Sequence, residues 1–240
     1  FILSYSQVYS RIPLYPIDHE VDQERTLENF FIKGVYEISP DTKLSLTGLY
    51  YPYEADLFRD ETLDSNYTLS NSGYSLTSNL EHHTNWADLQ FDLSYRENEN
   101  SRQAPPTLFT WQASENKPWG YITDANSSRQ YSKEGGLGNL EKQQKTFSAY
   151  AGLEFSPFQT GTIHHQVNTG ASYEEAYARF LREDAFTFYT YSWQNTDVVC
   201  GENTVDCIDH DQFMISKMTY PDDDTDARIR FYDGYLEDSI

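Results

Sequence analysis

Six aromatic residues in two polar stretches are the first candidates for chemistry: Trp111, Trp119 and Tyr121 in one, Tyr189, Tyr191 and Trp193 in the other. Trp119 and Tyr121 belong to PWGY (118–121), and the second trio to FTFYTYSW (186–193). Rings carried by loops can stack on flat or greasy ligands, and they can equally pack one loop against another. Both readings stay open. Asp222, Asp224 and Asp226 in PDDDTD (221–226) put hard oxygen ligands at alternate positions, a spacing that suits Ca²⁺. The run lacks the glycine and the distant glutamate of an EF-hand, so a solvated acidic loop is the competing reading. Cys200 and Cys207 lie close together in CGENTVDC, a loop-like segment with Gly201 and Asn203. They read best as a small local disulfide made in an oxidising compartment. Free thiols or a metal pair are the alternative, although His210 would leave such a metal short of a ligand.

Catalytic signatures are scarce. GxSxG, HExxH, CxxC and P-loop patterns are absent. GGLGNL (135–140) has no dinucleotide-binding spacing and reads as a flexible polar loop. The pairs His82–His83 and His164–His165 cannot chelate from one strand, because adjacent strand residues point to opposite faces. These observations point away from an enzyme, and away from any cofactor other than a loop calcium.

The elements that would carry these residues are strands. In WADLQFDLSYRENEN (86–100) the residues Ala87, Leu89, Phe91, Leu93 and Tyr95 alternate with Asp88, Gln90, Asp92 and Ser94. That period of two is the mark of a strand with two unlike faces. Similar alternation recurs at 1–10, 27–39, 44–51, 73–81, 146–156, 162–174, 213–220 and 227–240, nine segments in all. Short connections near 39–43, 82–86 and 157–161 alternate with long polar ones near 11–25, 52–72, 97–144 and 175–211. A soluble sandwich has no reason to keep long loops on alternate connections, whereas a bacterial outer-membrane barrel has short periplasmic turns and long extracellular loops.

Composition agrees. Of 240 residues only 38% are hydrophobic, yet 16% are aromatic, with 20 Tyr and 14 Phe. Few residues are left to fill a dry core, while many rings suit a membrane interface. The net charge of −21 argues against nucleic acid, which is bound through basic residues. No apolar run approaches the length of a transmembrane helix. The fold expected is therefore all-β, an antiparallel transmembrane barrel segment of about nine or ten strands over residues 1–240. An odd strand count would leave the sheet open, and the chain starts within the strand-like FILSYSQVYS without a signal peptide, so it reads as part of a larger barrel. Trp86 is expected at the turn-side interface, Ala87, Leu89, Phe91 and Leu93 toward lipid, Tyr95 in the outer girdle, and Asp88, Gln90, Asp92 and Ser94 toward the lumen.

In patches over nearly its whole length the chain resembles the barrel of TonB-dependent outer-membrane receptors. FILSYSQVYSRIPL is similar to the first strand after the plug, and ISPDTKLSLTGLYYPYE to the first periplasmic hairpin. NSGYSLTSNLE, the hairpin SPFQTGTIHHQVNTGASYE, the Cys200–Cys207 loop and FYDGYLEDSI follow in the family's order. The resemblance implies a barrel of about 22 strands around a plug, with this chain supplying the N-terminal part of the wall and its loops. It implies a bacterial outer-membrane location, with the lipid bilayer, lipopolysaccharide, the plug domain and TonB as partners. The imported ligand would be scarce, such as an iron-siderophore, haem or cobalamin. Neither the plug nor a TonB box is in this sequence. A passive porin or channel and, further off, an outer-membrane barrel enzyme are the competing functions.

Overall fold

A computed structural model describes residues 1–14, 21–59, 62–112, 121–122, 130–192 and 213–239, with backbone alone at 111–112, 121–122, 130–132, 192 and 213. Every regular element in it is a strand. In chain order these are β1 (Ile2–Leu14), β2 (Val21–Ser39), β3 (Thr42–Tyr50), β4 (Tyr53–Leu57), β5 (Thr62–Leu63), β6 (Tyr67–His83), β7 (Ala87–Gln103) and β8 (Thr107–Gln112). There follow β9 (Tyr121–Ile122), β10 (Gln130–Gly135), β11 (Leu140–Phe155), β12 (Phe158–Thr160), β13 (Ile163–Arg182), β14 (Phe186–Ser192), β15 (Phe213–Tyr220) and β16 (Asp223–Ser239).

The main sheet holds ten strands, all antiparallel, in the order β1-β2-β3-β6-β7-β11-β13, with β16 beyond β13. The other two are extensions. Both β3 and β4 lie between β2 and β6, so together they form one strand broken at Pro52. Proline has no N–H to give the ladder; its carbonyl still accepts from the Glu28 amide at 3.0 Å. The short β12 pairs with the start of β13 across the turn at Gly161–Thr162. Eight strands therefore cross the wall. Among the described residues nothing pairs with the free edge of β1 or of β16, and the barrel is open between them.

One of the nine expected segments leaves the wall. FMISKMTY (213–220) is β15, which pairs with β14 in a second, six-stranded sheet of order β15-β14-β8-β10-β5, with β9 beside β10. The reason is geometric: β13 and β16 pair directly from Gln166↔Ser239 to Arg182↔Asp223, which leaves no room between them. This upper sheet is mixed, with β14–β8 and β10–β5 parallel. The wall strands also run further than expected into the stretches read as loops. Strand β1 continues to Leu14, β7 to Gln103 and β13 to Arg182. Alternation of apolar residues stops where these strands leave the apolar band, but the backbone ladder does not. Cross-strand ion pairs take over there, Arg11 with Asp22, Lys145 with Glu97 (3.4 Å) and Arg179 with Asp224 (2.7 Å).

The wall has two unlike faces. One carries an aromatic row with one ring per crossing strand: Tyr5, Phe30, Tyr50, Tyr74, Tyr95, Phe147, Tyr173 and Tyr232. Neighbouring rings touch, with centroids 4.7 Å apart for Tyr5–Phe30, 5.7 Å for Tyr74–Tyr95 and 5.1 Å for Tyr173–Tyr232. Near the tight turns a second belt includes Tyr36, Trp86, Phe155 and Phe158, with Trp86 against Phe155 at 5.9 Å. Between the belts this face shows Leu3, Ile32, Leu46, Leu76, Leu89, Phe91, Leu93, Ala149, Ala151, Leu153 and Ala171, together with His82, which is opposite Leu89 and bonded to Thr42. Along β7 the belts are about 30 Å apart at ~3.3 Å per residue, close to the height of a lipid-facing band once the strand is tilted. The apolar side chains are open, Leu76 at 57% and Ile32 at 46% exposure. The buried apolar residues described are few, and Phe58, Leu108, Phe186 and Tyr191 among them lie outside the wall strands or in the upper sheet. Ala87, expected toward lipid, keeps the register of the apolar face opposite Phe155 but is only 1% exposed.

Candidate ligand path along the polar face and the upper sheet

The other face of the wall is mostly polar along β6, β7, β11 and β13, while β2, β3 and β16 add Phe31, Val35, Leu49, Ile229 and Phe231 to it. Near the tight turns Lys43 bridges to Glu81 (3.4 Å) and His83 to Asp88 (2.8 Å). Asp92 accepts from Asn79 (2.6 Å) and Gln90 (2.7 Å), and the Tyr150 and Tyr235 hydroxyls meet at 2.9 Å. These groups surround a hollow of about 330 Å³ lined by Glu81, His83, Asp88, Glu154, Asn168 and Glu237. Carboxylates outnumber cations in it, so the surface suits a basic or hydrogen-bond-donating partner. The Oδ1 of Asn168 is shielded and has no partner in the wall.

Toward the long connections the same face becomes rich in amides. A hollow of about 460 Å³ is lined by Asn71, Asn98, Asn100, Lys142, Gln144 and Phe180, among others. The Tyr51 hydroxyl donates to Asn98, and the Arg182 guanidinium lies 5.7 Å from the Phe180 ring centre. Amides both donate and accept, so this zone can follow a polar solute without fixing its charge.

GGLGNL is not the flexible loop its composition suggests. Gly135, Gly136 and Gly138 are buried and form the joint between the upper sheet and the wall. The Gly136 amide donates to Thr107 O (2.9 Å) and the Gly138 amide to Pro105 O (2.8 Å). Arg102 reaches from β7 to donate to the carbonyls of Leu137 and Gly138, each at 3.1 Å. Asn139 accepts from the Ala104 amide at 3.0 Å. Glycine is required because Gly135 and Gly138 have φ of 93° and 71°, and the 105–108 backbone passes where a Cβ would stand. The sequence signal was three glycines within four residues directly after a strand. This hydrogen-bonded joint, rather than a mobile loop, links the upper sheet to the wall.

On the upper sheet, Tyr189 and Tyr191 share a face with Phe109; the Phe109 ring stacks on Tyr189 at 5.3 Å and meets Tyr191 at 6.3 Å. Lys217 sits 5.4 Å from the Tyr189 ring centre. Tyr191 is only 5% exposed and packs the sheet, while Tyr189 is partly buried. Trp111 lies on β8 opposite Tyr191, and Tyr121 on β9, at backbone level. Trp119, Trp193, Cys200 and Cys207 fall outside the described residues. Phe109 and Phe180 were missed by the sequence reading, having no clustered signature of their own.

The aspartate triplet is placed differently from a loop site. Asp222 ends the connection before β16, and Asp224 and Asp226 are on the strand. Asp224 accepts from Arg179 Nε (2.8 Å) and Nη2 (2.7 Å), so a guanidinium already occupies it. That bond, beyond the aromatic row, holds the Asp224 carboxyl below its usual range. Its contribution is in place above the ordinary aspartate pKa and is lost as pH falls through the lowered value. Among the described residues no three His, Cys, Asp or Glu side chains converge on a metal position. The histidine pairs split as strand geometry requires: His82 bonds Thr42 (2.8 Å) on one face, and His83 bonds Asp88 on the other.

No family model matches the chain, and no curated protein matches it by sequence. Among solved structures it is similar to the crystal structure of the outer membrane transporter YddB from Escherichia coli, with a TM-score of 0.71 over 98% of the chain at 16% identity. The chain spans 28% of the length of that transporter. The fold is thus that of a run of strands from an outer-membrane transporter barrel.

Proposed function

We propose that this chain is wall and extracellular superstructure of an outer-membrane transport receptor of the TonB-dependent kind. The observation that carries the reading is the apolar face: two aromatic belts bound an uncharged band of membrane height, on a wall with no dry core behind it. Such a face is stable against lipid and unstable in water. The open ladders of β1 and β16 would cost several kcal/mol per unpaired group within a bilayer, so further strands pair there and complete a larger barrel. The acidic turn-side hollow then meets a plug, and the amide zone and upper sheet form the entrance for a scarce ligand such as an iron-siderophore, haem or cobalamin. No step of this role calls for catalysis.

Uptake through the full-length protein in cells tests the energised mechanism. Import should fall to background when the proton gradient is collapsed or TonB is deleted. Uptake that persists at the same rate would leave a passive channel as the better account. Wall orientation has its own test. In the protein assembled in vesicles, Leu89→Cys should resist a membrane-impermeant thiol reagent while Asp92→Cys reacts readily; the opposite pattern would reverse the two faces.

A further inference from the structure

The amide-lined hollow of about 460 Å³ has a basic rim. Asn100, Lys142 and Phe180 stand in one row across β7, β11 and β13 on its face of the wall. Two residues further out, Arg102 and Arg182 flank Leu140 on the same face, about 10 Å apart at two strand spacings. Arg59 joins them from the turn after β4. Its amide donates to Ser65 Oγ (2.9 Å), its carbonyl accepts from the same hydroxyl (3.1 Å), and Ser65 is buried, so this backbone is held in place. Burial lowers the Arg102 pKa, and Arg182 and Arg59 lower it further while Tyr67 opposes them, so the three guanidinia are close neighbours.

Like charges so placed repel unless an anion lies between them. Among the described residues no carboxylate forms an ion pair with Arg59, Arg102, Arg182 or Lys142. Asp223 is opposite Arg182 in the ladder, yet it is exposed and accepts from Thr225 Oγ1 at 2.6 Å. Glu183 and Asp184, next along the chain, are exposed too. Arg102 uses Nε and Nη2, but not Nη1, for the Gly138 and Leu137 carbonyls. The Nη1 of Arg59 and the Nε of Arg182 are shielded from solvent and have no hydrogen-bond partner. Ring faces steady Arg182 instead, Phe180 at 5.7 Å and Tyr220 at 5.9 Å, which leaves its N–H groups for other acceptors. Desolvated guanidinium donors without acceptors are costly, and one oxyanion satisfies several of them at once. The excess is local, in a chain of net charge −21 whose turn-side hollow on the same face is acidic.

From this arrangement we infer that the solute taken up is a small polyanion with at least two carboxylate or phosphate groups, one held by Arg59, Arg102 and Arg182 and a second by Lys142, its body lying along the Asn71, Asn98 and Asn100 amides. The site rests on the transport reading given above and names its substrate class. Guanidinium forks match the oxygens of either group, and Lys142 adds a point charge one row below them. The amides fix no charge of their own; the basic rim does. With a Debye length of about 8 Å at physiological salt, the chain-wide negative charge does not repel a solute already at the rim.

The test is calorimetric titration of the full-length protein in phosphatidylcholine vesicles, which needs no TonB. The probes are trimesate (a benzene tricarboxylate), its neutral triamide and inorganic pyrophosphate. At least one of the two anions should bind about tenfold tighter than the triamide, as loss of charge-assisted hydrogen bonds implies, and the tighter of them names the group. Lys142→Gln with Arg182→Gln should weaken that binding by about the same factor. Asp223→Asn removes the carboxylate opposite Arg182 and should tighten it, a gain that misfolding cannot produce. Arg228→Gln takes a cation from the opposite face and should change nothing. Triamide binding as tight as that of both anions, unchanged binding in the double variant, or an equal loss in Arg228→Gln overturns the site. Anion binding in a protein whose uptake ignores TonB sinks energised import alone; energised uptake without anion preference sinks the site alone.

Discussion

Phe91→Arg should cost about 2–4 kcal/mol of folding stability in a bilayer, whereas Gln90→Arg, one residue away, should stay within roughly 0.5 kcal/mol of the parent. Phe91 lies about halfway between Trp86 and Tyr95 on the uncharged face, paired with Leu80 and Ala151. An arginine there has no carboxylate within its own band and must reach for a headgroup. Gln90 points the other way and already donates to Asp92 at 2.7 Å, so a guanidinium at 90 finds a carboxylate. The measurement is the denaturant midpoint for folding of the full-length protein in vesicles. Equal losses at both positions would mean that the two faces meet the same medium, and the membrane reading would fall with that result.

The second large effect is expected at the joint of the upper sheet. Gly135→Ala should destabilise that sheet by at least ~2 kcal/mol, since an L side chain is strained at positive φ and its Cβ meets the Thr107 carbonyl oxygen. Gly161→Ala is the control. It has a similar positive φ, 66°, but nothing within 4 Å of the new Cβ, so it should cost only about 1 kcal/mol. Hydrogen exchange separates the two. Amides of β8, β10 and β14 should exchange about 30-fold faster in Gly135→Ala, with β7 and β11 unchanged, because the sheet and the wall open separately. If Gly161→Ala matches it, close backbone approach is not what makes Gly135 necessary. Ligand capture should fall with the upper sheet, while the wall stays folded in the membrane.

Much of the wall was readable without a structure because a strand writes its two environments into alternate residues. Leu89, Phe91 and Leu93 against Asp88, Gln90 and Asp92 is such a record, and the tight turns at Pro40–Asp41 and Thr84–Trp86 fixed where it reversed. What lay beyond the aromatic row was less readable. There both faces are polar, so Glu97, Lys145 and Arg179 carry no period, and the stretch reads as loop although the ladders continue. FMISKMTY alternates well enough to be a wall strand, and no local feature says that β13 and β16 close directly on each other. The aromatic cluster at 186–193 was visible as composition, but its partner Phe109 is far away in sequence.

The sequence by itself determined the all-β class, the alternating faces and the sidedness of the connections, since each follows from neighbours one or two residues apart. Tertiary structure alone decided which strands pair and which rings become one belt. It also turned three glycines into a hydrogen-bonded joint and brought Arg228 and Arg230 to the same carboxylate, Glu175. Those outcomes depend on registers between segments as far apart as β7 and β16. A register is a property of two strands together, and neither strand spells it out alone.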